Sequence, residues 1–439
     1  MNKPAERKSN AVGGKIWFSA IFFGLVGQIA WVVENMYFAA FAQDVFAASG
    51  RADLSYLVTT LMVIFSALTA TATTVIAGGL SDRAGKRKPF IAVGYILWGF
   101  TIMLFSLIPM KVAGGQILLV AVALVLFDCL MTVAGSTSND AAFNAWIADN
   151  TKPENRGRVN AVLSILPIAA VVIVFIGLGS LYDSAAESNS LFFLVLGAIP
   201  IFAGILALFV LKDKAGLAPA PRRGLLVDFF AGFAPSAIRG NAVLYLCLGA
   251  ACLVGIAQQT FFSYLINFLQ ITLGFGDGFV IPMAVIILLS ALFTAGMGML
   301  FDRFGRDRFS IPLLCLTVLG ILFFWLLQFT DGGLRSFLVY FAGTLMMGGI
   351  LSLTGSLTAT FQDHIPAGAE GRYQGVRMCF VVLIPMIVGP IVSLILGMNA
   401  MGMNGEGFVP PYSMFLAAAI IASLALIPIL LIRRITKTR

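Results

Sequence analysis

Twelve stretches of this chain run for roughly 20 residues or more with almost no charged side chain. They lie near 17–42, 54–80, 90–109, 116–146, 159–182, 190–211, 241–270, 278–300, 310–329, 336–361, 378–398 and 411–432. A helix crossing a hydrocarbon core of about 30 Å needs roughly 20 apolar residues, so the pattern predicts an all-α membrane protein of twelve transmembrane helices. The first stretch is long and follows the charged segment MNKPAERKSNAVGGK, which reads as a retained helix rather than a cleaved signal peptide. Segment 212–240 carries Lys212, Lys214, Arg222 and Arg223 beside an apolar run at Phe229 and Phe230, as expected of a connector lying partly on the membrane surface.

The polar connections repeat. GGLSDRAGKRKP begins at Gly78 and GMGMLFDRFGRDRF at Gly296, and both contain G-x-L-x-D-R-x-G followed by a basic residue. After the fourth stretch comes DNTKPENRGR from Asp149, and after the tenth comes DHIPAGAEGR from Asp363. In the first stretch of each half, YFAAFAQ at Tyr37 matches YLINFLQ at Tyr264. Three matches in the same chain order indicate a parallel duplication. The expected organisation is two pseudo-symmetric six-helix bundles, 1–211 and 241–439, joined by the cytoplasmic connector 212–240.

Charge assigns the orientation. With the N-terminus inside, 25 of the 28 Lys and Arg residues fall in cytoplasmic segments, and only Arg51, Lys111 and Arg335 fall outside. Both termini are therefore expected in the cytoplasm, with the cell membrane as the location. The net charge of +8 reads as a topogenic signal facing anionic lipid, not as a nucleic-acid surface. At 59% hydrophobic and 11% charged, with mean hydropathy +0.97, the chain lacks the polar residues a soluble globule of this size needs. The five cysteines fall within apolar stretches and suggest neither a disulfide framework nor a metal site. No phosphate loop, H-E-x-x-H or G-x-S-x-G is present, so no enzyme activity and no cofactor are expected.

The repeated loop, the P-E-N-R-G stretch and the twelve stretches together resemble the major facilitator superfamily over essentially the whole chain. Within it, SDRAGKRKPFI and the ending NAWIAD of the fourth stretch resemble the glycoside/cation symporters and the sucrose-transporter-like proteins. Asn144 stands where those sucrose carriers tend to have Arg. The second stretch has Tyr56, Thr59 and Thr60 in place of the aspartate pair of melibiose-type sodium symporters, which argues against sodium coupling of that type.

Ionisable side chains inside a span cost about 2.5 to 3.5 kcal/mol on insertion scales and need a reason. Glu34 shares a helical stripe with Gly27, Trp31 and Phe38, with Asn35 beside it. An aromatic face next to a carboxylate and amides suits a sugar ring and its hydroxyls, the alternative being a glutamate that bonds a neighbouring helix. Asp128 shares a stripe with Thr132, Gly135 and Asn139, and Asp140 follows twelve residues on, rotated about 120°. Glu34, Asp128 and Asp140 are the candidates for binding a coupling cation. With no Lys, Arg or His in the predicted spans, an anionic substrate is disfavoured. In the second half, Gln259, Ser263, Asn267 and Gln270 form a polar stripe near Gln258 and Phe262, and the tenth stretch offers Thr354 and Thr358. These are the further candidates for substrate contact; interhelical hydrogen bonding is the alternative.

In the family the chain resembles, the repeated loops clamp the inner side of each bundle. Carried onto this sequence, the gate is Asp82, Arg83 and Arg87 with Arg156 or Arg158, and Asp302, Arg303 and Arg306 with Arg372. The function expected is secondary active transport, by alternating access, of a small neutral solute such as a sugar or glycoside together with a proton or other cation. The alternative is proton-coupled efflux of cationic or lipophilic compounds. The partners expected are the solute, the cation and the bilayer, with the chain acting as a monomer.

Overall fold

In the computed structural model the described residues are 13–151, 159, 162–163, 165–183, 188–214, 230–366, 370–404 and 409–437. Among them there is no strand. Eleven helices are long and apolar enough to cross a membrane: α1 Gly14–Ala48, α2 Ala52–Ala84, α3 Lys88–Leu107, α4 Gly114–Asn150, then α6 Ser190–Val210, α7 Ala242–Phe262, α8 Val280–Phe301, α9 Ser310–Phe329, α10 Gly332–Asp363, α11 Gly375–Gly397 and α12 Ser413–Thr436. Between α4 and α6 lies a shorter apolar helix, α5 Leu166–Leu181. The twelve expected spans are thus all represented.

The chain divides into two compact units. One is Met1–Gly50 with Leu68–Arg223, the other Arg51–Ala67 with Gly224–Arg439. The first part of α2 groups with the second unit because its aromatic face is buried there. Tyr56 is 1% exposed, its ring lies 5.0 Å from that of Tyr264, and it fills the space a side chain at Gly397 would take. Thr60 Oγ1 and the Tyr264 hydroxyl lie 3.2 Å apart.

Small residues set the tightest helix contacts, as they do where apolar burial cannot drive association in lipid. A Cβ at Gly99 of α3 would lie 2.2 Å from the carbonyl of Gly197 in α6, and one at Gly197 would lie 2.5 Å from the carbonyl of Gly99. The second unit does the same between α9 and α10, where a Cβ at Gly320 would lie 2.4 Å from the backbone nitrogen of Met346.

Several helices leave regular α geometry. Six residues of α1, Val33–Phe38, and eight of α4, Ser136–Phe143, form π-helical turns. The seventh span, expected to run unbroken to residue 270, ends as an α-helix at Phe262. A turn at Ser263 and Tyr264 follows, then a short helix Leu265–Asn267 and a π-turn Phe268–Thr272. Tyr264 is the repeat counterpart of Tyr37, which sits in the π-turn of α1, so both copies depart from the α-helix at the same place.

The helices also extend beyond the apolar stretches and bring in charges that composition left outside. Asp44 lies within α1, where it accepts a hydrogen bond of 2.6 Å from the Tyr182 hydroxyl. Arg377 lies two residues into α11 and is half-buried, and Arg83, Lys88, Arg335, Arg433 and Arg434 also fall inside the helix bounds near their ends, so the expectation of no basic residue in any span is corrected at the helix ends.

Candidate functional site

In the first unit the two polar stripes read from sequence face each other. The Asn139 amide occupies the space beside Gly27, where a Cβ would lie 2.1 Å from its Nδ2. One turn along, Gly135 lies under the indoles of Trp98 and Trp31, at 2.8 and 3.1 Å from its ideal Cβ position. Next, the Thr132 hydroxyl donates to Glu34 Oε1 at 3.0 Å. Moving up α1 by a turn means moving down α4 by a turn, the register of two antiparallel helices. The π-turns of both helices lie in or next to this contact, as such turns do at functional sites.

Asp128 lies one turn beyond Thr132 and is 3% exposed; Thr132 Oγ1 is also 2.9 Å from its backbone carbonyl. Its Oδ1 is buried with no hydrogen-bond partner among the described residues, and its electrostatic neighbour is Glu34. Two carboxyl groups therefore lie close in one low-dielectric pocket, with the Thr132 hydroxyl bonded to the Glu34 carboxylate and to the backbone carbonyl of Asp128. Such a pocket can hold a proton or take a hydrogen-bond donor or cation from a ligand.

Aromatic and amide groups surround the pair. The rings of Trp31 and Trp98 are 5.0 Å apart at 59°. Trp98 is fully buried, and its Nε1 has no partner among the described residues. Asn139 Nδ2 donates to the Tyr95 hydroxyl at 2.8 Å, which donates in turn to the Phe23 carbonyl at 2.7 Å. Asp140 accepts from the Ser136 hydroxyl at 3.1 Å on its own helix, and its carbonyl accepts from the Asn144 amide.

Other candidates stand differently. Phe38 is 1% exposed and stacked on Phe105 at 3.8 Å, within a cluster that includes Phe193, so its ring belongs to the packed interior. Asn35 directs its amide to the Trp31 carbonyl of its own helix. In the second unit, Gln258, Gln259 and Phe262 are half-buried on α7, and Gln259 packs against Gly389. Asn267 lies beyond the break, 3% exposed, with its Oδ1 unpartnered among the described residues. The break therefore interrupts the single stripe expected on one helix. On α10, Thr354 donates to the Ile350 carbonyl, and Thr358 is half-buried.

At the basic loop after α2, Arg87 is the centre. It is 7% exposed and ion-pairs with Asp82 at 2.5 Å and Asp149 at 3.0 Å, and it donates to Ser81 Oγ at 2.7 Å. Burial alone would disfavour its charge, but the bonds to Asp149 and Asp82 and their negative charges more than compensate and hold the guanidinium above its ordinary value. Asp213 accepts from the backbone N–H groups of Arg87 and Lys88 and so caps α3. The partner found for Asp82 is thus an arginine of its own loop; Arg156 and Arg158 lie outside the described residues. Arg83 is exposed.

The second copy repeats the tie. Arg306 ion-pairs with Asp363, the counterpart of Asp149, while Arg303 lies 5.1 Å from the ring of Phe304. The side chains of Asp302 and Arg372 lie outside those described. Gly85 and Gly305 have φ of 60° and 81°, a backbone that disfavours any Cβ, which accounts for a glycine at that loop position in both copies. Asp149 and Asp363 were visible as the starts of the second repeated segment. Their common place, after the fourth span of each half with the basic loop two spans before, was the signal that could have paired them. Trp98 and Tyr95, on α3, carried no such mark.

Among solved structures, a mutant of the nucleoside transporter NupG superposes with a TM-score of 0.71 at 12% identity, covering 95% of this chain and 99% of that one. A D-xylose-proton symporter gives 0.69 at 12% identity, covering 94% and 97%. A bacterial homologue of the human lysosomal transporter Spinster, inward-facing and unoccupied, gives 0.68 at 14% identity, covering 97% and 98%. At such identities the likeness is one of fold. No curated protein sequence matches. The Major Facilitator Superfamily profile matches residues 16–390, most of the chain, and its repeats, helices and fold agree with that match. The chain belongs to the Major Facilitator Superfamily of membrane transporters.

Proposed function

We propose that the chain is a proton-coupled secondary transporter of a small neutral solute, a sugar or glycoside, as in the glycoside/cation symporter branch it resembles. The observation that carries this reading is the Glu34–Thr132–Asp128 group at the contact of α1 and α4, two neighbouring carboxyl groups with the Thr132 hydroxyl bonded to the Glu34 carboxylate and to the Asp128 backbone carbonyl. Two negative charges buried side by side are costly, and taking up one proton relieves that cost without a coordination cage. The neighbouring Trp31, half-buried, offers a flat face to a sugar ring, and carboxyl oxygens accept from hydroxyls. Two structural neighbours, a nucleoside transporter and a D-xylose-proton symporter, handle solutes rich in hydroxyl groups.

In this reading transport proceeds by alternating access of the bundles 1–211 and 241–439, with 212–240 linking them on the cytoplasmic side, where both termini lie. Gln258, Gln259 and Asn267 of the second bundle are further candidates for solute contact. The loops centred on Arg87 and Arg306 hold the inner gate. A second reading, efflux of lipophilic cations, is favoured by the same tryptophan beside the acid pair, since a cation can rest on an indole face. Proteoliposomes with an imposed pH gradient separate the two. Accumulation of a neutral sugar driven by the gradient supports symport, whereas transport of cationic dyes with no sugar uptake supports efflux. Absence of any proton-driven flux across a broad panel of sugars, nucleosides and cationic compounds would defeat both.

A further inference from the structure

A cavity of about 450 Å³ lies between α3 and α4, away from the acid pair. Its floor is built from small residues. Gly94 permits close helix approach, since a Cβ there would lie 2.5 Å from that of Ser138, and Ala134 keeps the opposite side low. Its walls are Val93, Leu97, Leu130 and Val133, which are 51%, 52%, 41% and 43% exposed. On a membrane-spanning pair of helices, apolar side chains this exposed face hydrocarbon. The groove follows α3 from Pro89 to Thr101, a rise of about 18 Å, or a little over half of a 30 Å hydrocarbon core.

The residues at its Pro89 end are charged in a particular order. Arg87 is consumed by Asp82, Ser81 and Asp149. Its neighbours Lys86 and Lys88 form no ion pair among the described residues, and Asp213 is engaged by backbone N–H groups rather than by either ammonium. Two uncommitted cations thus stand immediately before the residue that opens an apolar, lipid-facing groove one leaflet deep.

We propose that this groove is a specific site for one anionic phospholipid of the inner leaflet. An acyl chain lies along Val93 and Leu97, and the phosphate group is held by Lys86 and Lys88. Charge complementarity selects the occupant: a zwitterionic lipid gains the chain contacts but offers no net negative charge to the two ammoniums. The site is separate from the transport site, and its test does not depend on any substrate.

The test is native mass spectrometry of detergent-purified full-length protein titrated with phosphatidylglycerol, phosphatidylcholine and glycerophosphate. The first bound phosphatidylglycerol should persist at energies that strip phosphatidylcholine. The double variant Lys86→Ala/Lys88→Ala should weaken that binding event by about thirtyfold. Val93→Trp, which fills the groove from its lipid-facing wall, should weaken long-chain lipid binding while leaving both lysines in place. Equal retention of the two lipids, unchanged affinity in the double lysine variant, or glycerophosphate binding as tightly as the intact lipid would each overturn the proposal.

Discussion

The Thr132 hydroxyl donates to Glu34 Oε1 across 3.0 Å while lying 2.9 Å from the carbonyl of Asp128, so one side chain on α4 bridges two carboxyl-bearing residues on different helices. A hydroxyl has a single proton to give. Whatever protonates or ligates Glu34 alters the environment of Asp128, and the two acids should respond to substitution as a unit. Thr132→Val removes the bridge at nearly constant volume. Its expected effect on transport is a loss of about tenfold or more, from one missing hydrogen bond to a charged group. The double variant Thr132→Val/Asp128→Asn should be less than additive, as double-mutant analysis of transport rates would show.

The network at Arg87 makes a ranked prediction. Asp149 is mostly buried, its side chain 20% exposed, whereas the Asp82 side chain is 48% exposed. Asp149→Asn should therefore lower stability by about 1.5 to 3 kcal/mol, the range for a hydrogen bond to a charged group. Asp82→Asn should cost about 0 to 1 kcal/mol. Thermal melts in detergent measure the order. If both aspartates govern the gate, Asp82→Asn should still lower cysteine accessibility from the outer side while ligand affinity in the cavity changes little.

Glycine substitutions test the helix contacts. At Gly99 a Cβ would meet the Gly197 backbone at 2.2 Å, and backbone cannot swing aside. Gly99→Ala should thus destabilise the first unit by about 1 to 3 kcal/mol. At Gly249, also within a span, a Cβ meets nothing within 4 Å, so Gly249→Ala should be neutral or stabilising by up to about 1 kcal/mol. Comparable melting shifts for the two would contradict the packing described between α3 and α6.

Part of this arrangement is readable from the sequence. Helix count follows directly from apolar length, and the stripes Gly27–Trp31–Glu34 and Thr132–Gly135–Asn139 follow from helical periodicity. That the two stripes meet was not readable, because register between helices depends on which small residues face each other. Gly27 and Gly135 could be recognised as small, but not as the places where Asn139 and the indoles of Trp31 and Trp98 pack. Trp98 was invisible for a related reason: one aromatic among many on an apolar helix carries no polar signal. Asp82 pairs with Arg87 of its own loop, a nearer arginine that the sequence did not single out as its partner because spacing alone does not say how a loop folds back; Arg156 and Arg158 lie outside the described residues. Where a local signal existed, as in the glycines at Gly85 and Gly305, the backbone confirms it with positive φ in both copies.

Substrate charge gives a sharper test than substrate identity. Around the acid pair the groups that define the pocket are carboxyl, hydroxyl, amide and indole. Arg377, a half-buried basic residue within a span, lies at the basic-loop end of α11. Uptake of sugar phosphates or uronic acids should accordingly be much slower than that of their neutral parents, by about a hundredfold if one uncompensated charge must enter the pocket. A strong preference for the anion would move the site toward Arg377.

The decisive experiment separates the two acids. If the proton coupled to transport is held between Glu34 and Asp128, replacing either acid by its amide removes one of the two charges permanently and imitates the loaded state. Glu34→Gln should then still bind solute and exchange it across the membrane, because hydrogen-bond acceptors persist in the amide. It should lose accumulation driven by a pH gradient, because no proton need be taken up before the bundle closes. Asp128→Asn should share that phenotype in direction. It should be the less stable protein, because its carboxyl is 3% exposed and an amide placed there has two further donors to satisfy. Counterflow of labelled solute measures exchange, and uptake with and without a pH gradient measures coupling in the same vesicles. If Glu34→Gln concentrates solute as the parent does while Asp128→Asn cannot, the proton belongs to Asp128 alone and Glu34 is a solute ligand. If both variants still concentrate solute, coupling lies outside the pair, and Asp140, hydrogen-bonded to Ser136 a turn away on α4, is the next carboxyl to replace.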